Sequence, residues 1–162
     1  MRFFRRTLLC LLLPACVWAA APAVTPGWNR VLVAPIKTSI YVGSVTLTTQ
    51  PFVRNDLTLG STYAAKVFPW IFWNETGDIT ITLNAEQLAR LERGERCLFT
   101  GEAQNHKGKP RHVTGHADPT GPDTGKIKVR IGAGDVELIF NGTYHLAVAE
   151  KIAAEVQPAA DQ

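Results

Sequence analysis

The sequence predicts an all-β domain, an antiparallel sandwich or flattened barrel of about six to eight hairpin-connected strands, with one short helix near residues 84–93. Three observations carry this. An unbroken apolar run, Val67 to Trp73, meets a strictly alternating one, Ile79-Thr80-Ile81-Thr82-Leu83, across the corner Asn74-Glu75-Thr76-Gly77-Asp78. Alternation buries one face of a strand and wets the other, whereas an unbroken run needs cover on both. Farther on, Lys126 to Ile131 and Val136 to Leu146 alternate around the reversal Gly132-Ala133-Gly134-Asp135. In between, Asn84 is followed three residues on by Gln87, a capping box ahead of Leu88 and Leu91.

Residues 1–23 have the layout of a cleaved signal peptide. Met1 to Arg6 is a basic head, Thr7 to Trp18 a leucine-rich middle too short to persist as a spanning helix, and Ala19 to Ala23 a small-residue exit. Cleavage after Ala19 or after Ala23 fits this pattern. Leu13-Pro14-Ala15-Cys16 is a variant of the bacterial lipobox, which would lipidate Cys16. Arg5-Arg6 is the pair of a twin-arginine signal, set before an apolar middle that favours the general secretory route. The expected location is secreted or periplasmic, with membrane attachment only through this segment or a lipidated Cys16. Arg2, Arg5 and Arg6 are three of the 17 Lys and Arg residues, and without them 14 basic residues face 14 acidic ones. The mature chain is then near neutral, which argues against nucleic acid as a partner. Cys97 is the one cysteine outside the segment, so no internal disulfide is available and packing must hold the domain.

Residues 24–37, rich in Ala and Pro, read as an extended lead-in with Trp28 placed to tuck against the domain, and 38–148 as a single β domain. Ser39 to Thr49 reads as the first strand, by its density of β-branched residues. Gln50 to Gly60 is a connection, turning at Asn55-Asp56, with a short strand pair around Phe52-Val53 and Leu57-Thr58. Ser61 to Trp73 is the next strand, broken at Pro69 by a bulge because proline has no amide to donate. The helix presents Leu88 and Leu91 inward and ends at Gly94, and it is expected to plug one end of the domain.

Arg96 to Gln104 and Arg111 to Ala117 form a hairpin. A His106-Lys107-Gly108 loop sets Glu102 opposite His112 and Thr100 opposite Thr114, which keeps both histidines off the apolar face. In the last hairpin, pairing Ile131 with Val136 brings Val129 to Leu138 and Ile127 to Phe140, all inward, with Arg130 opposite Glu137. Residues 149–162 read as a tail, partly disordered or beginning as a short helix.

Sites for chemistry are sparse. His112, His116 and Asp118 share one strand face, but residues four apart on a strand lie about 13 Å from one another, too far for one metal. No metal and no cofactor is expected. Asp123-Thr124-Gly125 resembles the aspartic-protease triplet, yet Gly121-Pro122 precede it and Lys126 follows, which is ordinary turn chemistry. The binding candidates are the aromatic set around Phe68, Trp70 and Trp73 and the basic stripe Lys126, Lys128 and Arg130. The expected function is a non-catalytic binding or structural role at the cell envelope, the partner being a glycan or a protein. The alternatives are a small secreted hydrolase using Glu102, His112 and Asp118, and a lipid-anchored envelope assembly factor.

Overall fold

The period-two pattern is realised as ten antiparallel strands. These are β1 (Arg30–Val33), β2 (Ile36–Ile40), β3 (Gly43–Thr49), β4 (Phe52–Asn55), β5 (Thr58–Phe68), β6 (Glu75–Thr82), β7 (Cys97–Asn105), β8 (Pro110–Pro119), β9 (Thr124–Ala133) and β10 (Val136–Ala147). Helix α1 (Ala85–Glu92) lies between β6 and β7, and a 3-10 turn, Ile71–Trp73, between β5 and β6. The computed structural model describes Val24, residues 27–134 and residues 136–148. The expected signal peptide with Cys16, and the tail 149–162, lie outside the described residues.

Eight strands close an antiparallel barrel in the order β1-β4-β5-β6-β7-β8-β9-β10, with β10 returning to β1. β2 and β3 add a hairpin above it. The pairings β1–β4 and β2–β3 share one register, from Arg30↔Val53 through Ile36↔Leu47 to Ile40↔Gly43. They are one long hairpin, interrupted at Ala34-Pro35 and Gln50-Pro51, where proline cannot donate to the ladder. On its other side this hairpin meets β5 at Thr49↔Tyr63 and then at Val53↔Gly60, one residue out of step, so Gln50-Pro51 is a bulge.

Three local expectations change. The stretch Ser39–Thr49 is a turn between two strands, reversing at Tyr41-Val42, and residues 24–37 contribute β1 and the start of β2. Tyr41 and Val42 are strand-forming types, and the reversal is made possible by Gly43. Its φ is 111°, and a Cβ there would sit 1.9 Å from the Phe68 carbonyl oxygen. The strand expected to reach Trp73 stops at Phe68, where a cis Phe68–Pro69 bond leads into the 3-10 turn. In the last hairpin, Ile131 pairs with Leu138 and Val129 with Phe140, a slip of two residues from the expected register. The slip shortens the connection to Gly134 and Asp135, with Gly134 at a φ of 67°. Because it is two and not one, every inward residue stays inward, and Arg130 still reaches Glu137 at 3.0 Å.

The β7–β8 hairpin has the expected register, with Glu102↔His112 and Thr100↔Thr114, and Gly108 holds a φ of 72°. Asn84 and Gln87 form both bonds of the capping box, each 2.7 Å. Leu91 is buried, and the N–H of Val24 donates to the Glu92 carbonyl. With Trp28, buried under the Arg54 guanidinium, α1 closes one end of the barrel. The most enclosed side chains of the interior are Phe140, Val113 and Cys97.

The wall is not bonded over its full height. β1 is laddered to β10 from Arg30↔Ala147 to Val33↔Tyr144, and Ala34 donates to the Thr143 carbonyl. Beyond Pro35, β2 pairs with β3 alone and the residues of β10 before Thr143 pair with β9 alone. Side chains bridge this seam instead. Ile36 lies against Gly142, where an added Cβ would be 2.6 Å from it.

Truncating Phe140, 1% exposed, to Ala is expected to cost about 3–5 kcal/mol. Leu98→Ala, at 61% exposure, is expected to change stability by no more than about 0.5 kcal/mol. Urea denaturation followed by tryptophan fluorescence measures both.

Candidate functional site

The two ends of the barrel differ. One is plugged by α1. At the other, the β2–β3, β5–β6, β7–β8 and β9–β10 connections surround a cavity of about 800 Å³. Its walls are the inward residues of the upper barrel, among them Val45, Leu47, Ala65, Val67, Leu138 and Phe140. This volume is in the usual range for small-molecule sites, about 300–1,000 Å³.

The polar groups in the cavity are organised around one carboxylate. Glu75 Oε1 accepts from Tyr63 Oη at 2.6 Å and Arg111 Nε at 3.2 Å, and Oε2 accepts from Arg111 Nη2 at 2.7 Å and Asn105 Nδ2 at 2.9 Å. The Glu75 and Arg111 side chains are 18% and 17% exposed. Burial on its own would push the Glu75 carboxyl up. The bonds from Arg111, Tyr63 and Asn105 and the guanidinium charge outweigh it, taking the ordinary 4.5 down to about 2. The same arrangement pushes the Tyr63 phenol up, by burial first and then by its bond to the carboxylate. Glu75 therefore stays ionised, with both oxygens fully engaged. Arg111 keeps Nη1 without a partner among the described residues.

This cluster also sets the mouth. Asn105 is buried, and its Oδ1 accepts from the backbone N–H groups of Lys107 at 3.0 Å and Lys109 at 2.8 Å. The β7–β8 turn is thereby tied to the ion pair, and Lys107 and Lys109 line the cavity opening. Beside this cluster, in the β5–β6 loop that leads into Glu75, Trp70, Phe72 and Trp73 contact one another with ring centroids 5.3–5.8 Å apart.

Of the residues expected to bind, Trp70 and Trp73 line the mouth, at 39% and 58% exposure. Phe68 is exposed on the outside of β5, just below them. Lys126, Lys128 and Arg130 lie along β9, away from the cavity. Lys126 is opposite Asp118, Lys128 opposite His116, and Arg130 is bonded to Glu137. The structure does not bring this stripe to the aromatic residues. Glu102 and His112 face solvent on the outer wall, and Asp118 is ion-paired with Arg96. None of the three lines the cavity. Among the described residues, no group of three His, Cys, Asp or Glu is placed to hold a metal. Cys97 lies in the core, where burial pushes its thiol up to about 11.

The sequence reading missed Tyr63, Glu75, Asn105 and Arg111 as a group. Parity was the available signal. Glu75 shares the inward face of Ile79 and Ile81, Asn105 that of Ala103, and Arg111 that of Val113. A charged or amide side chain at an inward position at a strand end, or one residue in from it, marks a polar group inside a barrel mouth.

The low Glu75 value links stability to acid. As the pH falls, the unfolded chain takes up this proton near 4.5 and the folded chain not until about 2. The stabilisation is complete above roughly pH 5 and is lost as the pH falls toward 2. Glu75→Gln is expected to cost on the order of 2–3 kcal/mol at neutral pH. The difference from the parent should shrink steadily on acidification, as measured by denaturation at a series of pH values.

Comparison with protein-family models, with curated proteins and with solved structures finds no match.

Proposed function

We propose that this is a binding protein that takes an amphiphilic small molecule into the open end of its barrel, and that it works outside the cytoplasm, at the cell envelope. The observation carrying the reading is the cavity itself. It is about 800 Å³, walled mostly by apolar side chains, and its polar groups are confined to one side.

The balance of charge supports an anionic head on the ligand. Among the described residues, the one carboxylate lining the cavity is already saturated by four donors, so it offers no acceptor to a cationic group. Arg111 Nη1, Lys107 and Lys109 remain as donors on the same side of the mouth. An acyl or other apolar body would lie against Leu47, Ala65 and Leu138, with the head toward these cations. The aromatic rings of the neighbouring β5–β6 loop would cover the body and exclude water. The leader-like residues 1–23 support the location outside the cytoplasm.

A fluorescent fatty acid such as cis-parinaric acid tests this. Its emission is expected to rise on binding and to quench that of Trp70 and Trp73. Ala65→Trp, which fills the cavity from a half-buried position, is expected to abolish binding while leaving the far-ultraviolet circular dichroism intact. Lys107→Ala with Lys109→Ala is expected to weaken a fatty acid about tenfold and its neutral alcohol hardly at all. Undiminished binding in the Ala65→Trp protein would place the ligand elsewhere and refute the reading.

A further inference from the structure

We infer that the open end of the barrel docks on an anionic lipid bilayer through its aromatic rim. The inference stands on the outer surface of the rim and not on occupancy of the cavity. Among the described residues, eleven large hydrophobics are exposed, and eight of them belong to this one end. They come from three separate connections. Tyr41 and Val42 cap the β2–β3 turn, Phe68 to Trp73 form the β5–β6 loop, and Val136 follows the β9–β10 turn. Ile71 is 72% exposed, Phe72 67% and Phe68 70%. Ile71 and Phe68 do not line the cavity, so a ligand inside would leave them in water. Single exposed apolar residues are ordinary, but a contiguous set of this size marks a contact surface.

The chemistry of the set indicates what covers it. Trp, Tyr and Phe on a loop tip, flanked by lysine, is the composition that settles at a membrane–water boundary, rings among the acyl ends and ammonium groups among the phosphates. Lys107 and Lys109 stand at the mouth and Lys66 is exposed two residues below Phe68. Of the carboxylates nearby, Glu75 is neutralised by Arg111 and Glu137 by Arg130, and exposed Asp78 lies three residues down β6 from Glu75. In the sequence the β9–β10 tip carries one acid, Asp135, against these three lysines. A second copy is the less suitable occupant, because a two-fold contact across the rim would bring the same lysines together. An anionic bilayer complements them.

Vesicle flotation with the purified protein provides the test, using phosphatidylcholine alone and phosphatidylcholine mixed with phosphatidylglycerol. The protein is expected to float with the mixed vesicles, to do so much less with the neutral ones, and to show blue-shifted tryptophan emission when bound. Ile71→Asp with Phe68→Asp is expected to reduce partitioning at least tenfold while parinaric acid binding is retained. Ile71→Ser alone is expected to give a smaller loss in the same direction. Lys107→Glu with Lys109→Glu should lower partitioning to the mixed vesicles by about fivefold or more per lysine and leave the neutral ones unchanged. Failure to float with either vesicle, or flotation undisturbed by the Ile71 and Phe68 changes, overturns the inference. So does a dimer in light scattering that these changes dissociate, since the occupant is then a second copy. A protein that floats but takes no parinaric acid refutes the ligand reading and leaves this one standing.

Discussion

The ladder between β1 and β10 is the constraint on which the rest of the molecule depends. It joins Arg30–Val33 to Tyr144–Ala147, the first described strand to the last, and turns a meander into a ring. Without it the sheet would have two free edges, and the inward faces of all ten strands would lack a shared interior. Closing a loop of more than a hundred residues is not prohibitive, because the entropic cost rises only with the logarithm of length, about 0.6 kcal/mol per doubling. What offsets it is burial. Val31, Tyr144 and Leu146 enter the core at the ladder itself, beside Trp28.

With the ring closed, the two ends take different roles for reasons visible in the residues they carry. At the helical end, Leu83, Leu91 and Trp28 are apolar and fit over the strand ends, so that end is filled. At the other, the inward residues of β5 to β8 include Tyr63, Glu75, Asn105 and Arg111, the last three at or next to strand ends. Charged groups cannot be packed dry without partners, and here they satisfy one another along one wall. The opposite wall stays apolar, and the space between them is the cavity. The ion pair thus both spares the barrel an uncompensated charge and holds the interior open.

The sequence disclosed periodicity well and long-range partnership poorly. The β7–β8 register was readable because a one-residue shift would have turned His112 and His116 inward. The β9–β10 register was not fixed in the same way, since a slip of two preserves the inward set and only turn geometry separates the choices. The turn at Tyr41-Val42 was hidden by residues that favour strands, and what permits it is the backbone freedom of the glycine that follows. Of the site, Trp70 and Trp73 were legible as unusual aromatics. Glu75 and Arg111 were not legible as a pair, because 36 positions separate them and only the curvature of the closed sheet brings them together. The basic stripe on β9 illustrates the converse. Its spacing was conspicuous, yet its members face outward, where their neighbours include Asp118 and Glu137.

The seam between β2 and β10 bears on how this molecule can behave. A tube stitched around its whole circumference has a fixed bore, since widening it anywhere means tearing main-chain bonds. Here the stitching stops at Ala34, and above that point the two margins are held by side-chain packing such as Ile36 on Gly142. Packing of that kind can slide apart and re-form with no backbone bond broken. The bore at the helical end is therefore set by covalent and hydrogen-bonded geometry, whereas at the mouth one margin of the wall is set by side-chain packing alone.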